Sequence, residues 1–88
     1  MAYFTYILRS EVKYRYYIGS TDNLERRLRL HNEGNTISTK AFMPLQIVYY
    51  ETFKTKTEAL KREIELKKMK SKKYIEWLIN NHSRGRPD

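Results

Sequence analysis

The 88-residue chain contains no cysteine, which excludes disulfides and any thiolate metal site. Histidine is nearly as scarce, and His31 and His82 alone cannot supply the three or four nitrogen or sulfur ligands that zinc requires. Three glycines are scattered rather than grouped, so there is no glycine-rich phosphate loop, and no G-x-S-x-G elbow occurs. Apolar residues make up 40% of the chain but fall in separated clusters, none near the roughly 18 consecutive positions that cross a bilayer. Residues 1–10 are apolar from the start, without a basic leader, and the run breaks at Arg9, which argues against a secretory signal. The expected compartment is therefore the cytoplasm, with no membrane role.

Acid is also in short supply. Ten Asp and Glu face 18 Lys and Arg, for a net charge of +8, and the excess is local: Lys54 to Lys73 holds nine basic residues against three glutamates. Such a stripe attracts phosphodiester backbones through counterion release. Small basic proteins also carry lysine faces that are only solvated, so charge alone leaves both readings open. The eight tyrosines do not decide between them, since most aromatic residues fill cores.

A chain of this length supports one core and one domain. Tyr3 to Arg9 reads as a strand, and Tyr14 to Ser20 as its hairpin partner across Glu11-Val12-Lys13. Asp22 and Glu25 form a capping-box-like start to a helix over residues 23–33, which Gly34 ends. Asn35 to Pro44 reads as a loop and Leu45 to Phe53 as a third strand. Thr55 and Glu58 make a clearer capping box for a second helix, with Ala59, Leu60, Glu63, Leu66 and Lys67 on one face. Ser71 caps a third helix, and residues 81–88 form a polar flexible tail to the 1–80 domain. The expected fold is α/β (α+β), with a small three-stranded, mostly antiparallel sheet flanked by three helices in the order β-β-α-β-α-α.

Several polar residues interrupt faces that a plain scaffold would keep apolar. Glu63 shares the face of Ala59, Leu60 and Leu66, and Arg27 and His31 flank the stripe of Leu24 and Leu28. Each has an ordinary alternative: an ion pair of Glu63 with Lys67, an outward Arg27, a helix-end His31. Tyr17 and Gly19 alternate onto one strand face, where the absent side chain at Gly19 would leave open space beside the ring, unless Gly19 is merely a bulge. Tyr6 is similarly ambiguous.

Taken together, these residues resemble the GIY-YIG nuclease superfamily, and within it the small stand-alone bacterial proteins of excision-nuclease-like (URI domain) type. The resemblance rests on Phe4-Thr5-Tyr6-Ile7-Leu8, on Tyr17-Ile18-Gly19-Ser20-Thr21, on Asn23-Leu24-Glu25-Arg26-Arg27-Leu28 with His31-Asn32, and on Glu58-Ala59-Leu60-Lys61-Arg62-Glu63. Phe4 and Thr5 replace the Gly and Ile of the family name, and no counterpart is evident for an Asn that some relatives place after the glutamate.

The resemblance implies that Tyr6 and Tyr17 are the motif tyrosines, Arg27 the catalytic arginine, His31 the site histidine and Glu63 the ligand of Mg²⁺ (or Mn²⁺). On that reading water attacks phosphorus in line, Tyr17 with Tyr6 beside it takes the proton, and Arg27 forks onto phosphate oxygens. An unperturbed phenol, with a pKa of about 10, is a poor base near neutrality. A neighbouring Arg27, a metal and the basic field would lower that value. Lys40, Lys67, Lys68, Lys70, Lys72 and Lys73 would hold the nucleic-acid backbone without reading bases. The implied activity is a DNA endonuclease of low sequence specificity, used in DNA repair or recombination. The alternative is a protein that binds nucleic acid with the same surface and does not cut it.

Overall fold

The computed structural model describes residues 2–13, 15–34, 40–69 and 71–82, with His82 described by its backbone alone. Its elements are β1 (Tyr3–Ser10), β2 (Tyr16–Thr21), α1 (Leu24–Asn32), β3 (Leu45–Phe53), α2 (Lys56–Met69) and α3 (Lys72–His82), the order expected. The strands form one antiparallel sheet in the order β2-β1-β3. Lys40 is helical, inside the segment expected to be a loop, while residues 35–39, Lys70 and tail residues 83–88 lie outside the described residues. α3 continues to His82, so the first two residues of the expected tail are helical.

The central strand explains why its sequence runs apolar without alternation. Thr5, Tyr6, Ile7 and Leu8 are all buried, because both faces of β1 are covered. One face packs Ile7, Val48 and Tyr49 against Leu66 of α2 and Ile75 and Leu78 of α3. The opposite face packs Tyr6, Leu8 and Leu45 with Leu24 and Leu28 of α1 and with Tyr17 and Phe42. A register shift between Ile7 and Leu8 sets β3 one residue out of step, so consecutive Val48 and Tyr49 both enter the first core.

Local chemistry fixes where the helices begin. At α1 the capping oxygen comes from Asn23, whose side chain accepts from the Arg26 amide at 2.9 Å. Asp22, the expected cap, instead pairs with the Arg26 guanidinium at 2.8 Å. The other two caps are as expected: Thr55 accepts from the Glu58 amide and Ser71 from the Tyr74 amide. α1 is docked by Asn32, whose side chain donates to the Leu45 carbonyl and accepts from the Leu45 amide. α2 is docked by the Thr5 hydroxyl, which donates to the Ala59 carbonyl at 2.7 Å inside the sheet–helix interface. A second anchor for α2 is the two-point contact of Arg62 with Glu51 of β3. The Tyr49 hydroxyl adds a further hydrogen bond to Glu51.

Gly19 sits directly opposite Tyr6 in the β1–β2 ladder. A Cβ there would lie 2.5 Å from Tyr6 Oη and 2.7 Å from Tyr6 Cζ. The space expected to be open beside Tyr17 is therefore filled by the Tyr6 ring, which crosses β2 where that strand has no side chain. Gly19→Ala overpacks a buried ring and should lower stability by about 1–3 kcal/mol. Urea unfolding checks this, and an unchanged midpoint would show that the ring moves aside at no cost.

Candidate active site

On the α1 face, one turn of helix and two strands bring three of the expected residues into a connected set. Arg27 projects from the middle of α1, and its Nε donates to Tyr6 Oη at 3.2 Å. His31, one turn further along the same helix, is buried with its ring edge-on to Tyr6, the centroids 6.5 Å apart. Tyr17 lies on the same sheet face as Tyr6, because it is two residues from Gly19 on β2. Its ring packs against Phe42 at 5.5 Å.

Glu63 comes from the other layer. Thr5 and Ser20 are cross-strand partners facing α2, and the Ser20 hydroxyl donates to Glu63 Oε1 at 2.8 Å. The second carboxylate oxygen accepts from Lys67 Nζ at 2.7 Å, so the ordinary ion pair weighed from the sequence is present. The Glu63 side chain is only 16% exposed, against 55% for Lys67. Tyr6 and Glu63 thus start on opposite faces of the sheet, yet the carboxylate and the Lys67 ammonium both act on the Tyr6 phenol. They approach around β2, which is an edge strand.

Protonation follows from this packing. Burial pushes the Tyr6 phenol above its ordinary value, and the hydrogen bond and charge of Arg27 oppose that push without reversing it. The lowering expected from Arg27 is present at Tyr6, but desolvation outweighs it. His31 is shifted down from 6.5, first by burial and then by the Arg27 charge, so its imidazole is neutral at pH 7. On α2, burial opposes the Arg62 charge, but hydrogen bonds to Glu51, Tyr74 and Glu65 outweigh it and raise its pKa.

The described lysines expected to hold nucleic acid come from three elements of the chain. Lys67 and Lys68 end α2, while Lys72 and Lys73 begin α3. Lys40 lies on the other side of the fold, its side chain within 4 Å of the Cβ position at Gly34 just beyond α1. Two cations were not singled out from sequence: Lys13 and Arg15 stand over the Phe42 ring at 5.4 and 5.3 Å, beside Tyr17. Ser20 was missed as well. Two-residue alternation puts it on the face opposite Gly19, but only the path of α2 reveals its carboxylate partner.

No group of three or more His, Asp or Glu side chains gathers among the described residues, so a protein-only metal cage is absent there. The donor set still suits a hydrated hard cation. Mg²⁺ keeps several waters and binds through one or two carboxylates plus substrate phosphates. Glu63, half-buried and already facing an ammonium, offers one such carboxylate.

A family model described as the GIY-YIG catalytic domain matches residues 2–75. The chain belongs to the GIY-YIG family. This GIY-YIG domain is 39% identical over 71 residues to a UPF0213 protein of Streptococcus pneumoniae, covering 80% of this chain and 72% of that one. It is 38% identical over 65 residues to a UPF0213 protein of Bacillus subtilis, covering 69% and 66% of the two chains. The solution NMR structure of a UPF0213 protein from Bacillus halodurans superposes with a TM-score of 0.56 at 30% identity, over 99% of this chain and 89% of that one. No helix among the described residues is long and apolar enough to cross a membrane.

The neutral, buried His31 makes stability depend on pH with a definite sign. Its folded pKa lies below the unfolded value of about 6.5, so its contribution is complete above that pH and is lost as pH falls through the folded value. Urea midpoints measured from about pH 8 to 5 should decline on the acid side in the wild type and less steeply in His31→Gln. Parallel declines would show that His31 is not the titrating group.

Proposed function

We propose that this GIY-YIG domain is an endonuclease that uses Mg²⁺ or Mn²⁺ to hydrolyse DNA phosphodiester bonds with little sequence specificity, in DNA repair or recombination. The observation that carries this reading is the Arg27–Tyr6 hydrogen bond, made on a phenol that also feels the charge of Glu63. A scaffold has no need for a guanidinium, a phenol, an imidazole and a carboxylate gathered around one edge strand. Phosphodiester hydrolysis has a use for each.

In this proposal Arg27 places donors on the non-bridging phosphate oxygens, stabilising the charge that grows as water attacks phosphorus. Tyr6 accepts from Arg27 Nε, which leaves its own hydrogen to donate to phosphate or to the attacking water. Its raised pKa keeps that hydrogen in place at neutrality. Tyr17 takes or relays the water proton, and neutral His31 orients the set from behind Tyr6. Ser20 holds one oxygen of Glu63, the residue that would bind the divalent cation. When bound, that cation supplies positive charge where negative charge develops on the departing oxygen. The lysines add salt-sensitive affinity without base readout, and nothing among the described residues resembles a base-reading module.

The ion pair of Glu63 with Lys67 favours the rival reading, in which Glu63 is structural and the domain binds nucleic acid without cutting it. Cleavage of labelled single-stranded, flapped and nicked DNA, with and without Mg²⁺, separates the two. Arg27→Ala and Glu63→Ala should each lower the cleavage rate by at least about a hundredfold with the circular dichroism unchanged. A folded variant that cuts at the wild-type rate removes that residue from the mechanism, and a wild type inert on every substrate leaves the binding reading.

A further inference from the structure

The third helix carries an aromatic pair of which Tyr74 packs against the core while Trp77 faces outward. Its inner face is spent on Ile75 and Leu78, both buried in the sheet–helix core. Trp77 instead turns outward, 52% exposed. Its ring lies nearly parallel to that of Tyr74, with the planes 16° apart and the centroids 6.0 Å apart. Tyr74 is itself held in place. Its amide donates to Ser71 Oγ, and its ring packs against the sheet–helix core. The Asn81 side-chain amide adds a bond to the Trp77 carbonyl. A half-exposed indole therefore rests on a fixed second ring, which is what a stacking surface requires.

Charge tells what kind of ring it would receive. Lys73, exposed, precedes Trp77 by one helical turn, while Lys72 shares a different face with Glu76, whose carboxylate accepts from the Tyr16 hydroxyl. Lys67, paired with Glu63, and Lys68 end the preceding helix, so lysines follow the chain from the carboxylate to the aromatic pair. An apolar protein partner would gain nothing from that surround. A strand of nucleic acid would place phosphates on the lysines and a base on the indole.

We infer that Trp77, backed by Tyr74 and with Lys73 one turn before it, is a stacking site for an unpaired nucleobase, so that the substrate carries a single-stranded stretch. Bases inside a duplex already cover both faces of one another, whereas an unpaired base exposes a face that stacks on aromatic side chains regardless of its identity. The molecule measures 31 Å in its longest direction, a span that roughly ten nucleotides cover at about 3.4 Å each, so a strand held at Trp77 can also reach Glu63 and Arg27. This inference rests on the nuclease reading for its biological use, but it concerns binding and can be tested without cleavage.

Trp77 is the sole tryptophan, so intrinsic fluorescence reports on this position alone. The protein is titrated, without divalent metal, with fluorophore-labelled oligothymidylate and with a blunt duplex of equal length, following anisotropy of the label and emission of the indole. The expected result is saturable quenching by the single strand, little quenching by the duplex at equal occupancy, and a loss of roughly tenfold in single-strand affinity in Trp77→Ala. Trp77→Phe, which keeps a ring, should recover most of that loss, and duplex affinity should be the same in all three proteins. Binding without quenching, equal losses for both nucleic acids, or a concentration-dependent blue shift of the emission without nucleic acid would overturn the inference, the last by assigning the face to a second copy of the chain. Adding Mg²⁺ afterwards separates the two proposals. Quenching without cleavage leaves the stacking site and removes the nuclease, and cleavage without quenching does the reverse.

Discussion

The passage of the Tyr6 ring over Gly19 is the constraint on which the rest of the site depends. A central strand buried on both faces has nowhere to send a large polar ring except across a neighbour without a side chain, and β2 provides that gap at the position opposite Tyr6. The ring stays in the core, yet its hydroxyl reaches Arg27 on α1 and comes under the influence of the Glu63 carboxylate on α2. α1 and α2 never need to touch. Each is fastened to the sheet by its own hydrogen bonds, Asn32 to Leu45 of β3 for one and Thr5 of β1 to Ala59 for the other. Two layers that pack on opposite faces can in this way contribute to one place.

Burial has a chemical consequence. A phenol in the core resists ionisation, and a single guanidinium facing solvent does not restore it, so Tyr6 is suited to donating a hydrogen bond and poorly suited to accepting a proton. The same burial, reinforced by the Arg27 charge, keeps His31 neutral. Glu63 is satisfied on both oxygens, by a hydroxyl and an ammonium. The two-point contact of Arg62 with Glu51 of β3 fixes the residue beside Glu63 and so holds the rotation of α2 that aims Glu63 towards β2.

Strand positions and element order were legible because β-branched and aromatic runs, two clear caps and a helical period all agree in the sequence. The motif residues of the GIY-YIG resemblance pointed to Tyr6, Arg27 and His31, which the fold does bring into contact. What could not be read depended on partners far away in the chain. Asn23 displaced Asp22 as the cap because Asp22 found Arg26, a competition between two adjacent acceptors that spacing alone does not resolve. Gly19 suggested a vacancy, since the sequence does not show that the residue opposite is a tyrosine leaning over it. Ser20 drew no attention until α2 was laid across its face, and Lys13 and Arg15 until Phe42 came to lie between them and Tyr17. The outward turn of Trp77 is of the same kind, because an apolar residue on an amphipathic helix is expected to face inward.

The convergence of the two layers at β2 can be observed directly by titrating Mn²⁺ into the isotope-labelled protein and following paramagnetic broadening of its amide and tyrosine-ring NMR signals. Broadening should begin at Ser20 and Glu63, extend across Gly19 to the ring of Tyr6 and the side chain of Arg27, and disappear in Glu63→Gln. Broadening confined to α2 and absent from Tyr6 and Arg27, or unchanged by loss of the Glu63 carboxylate, would contradict a shared site.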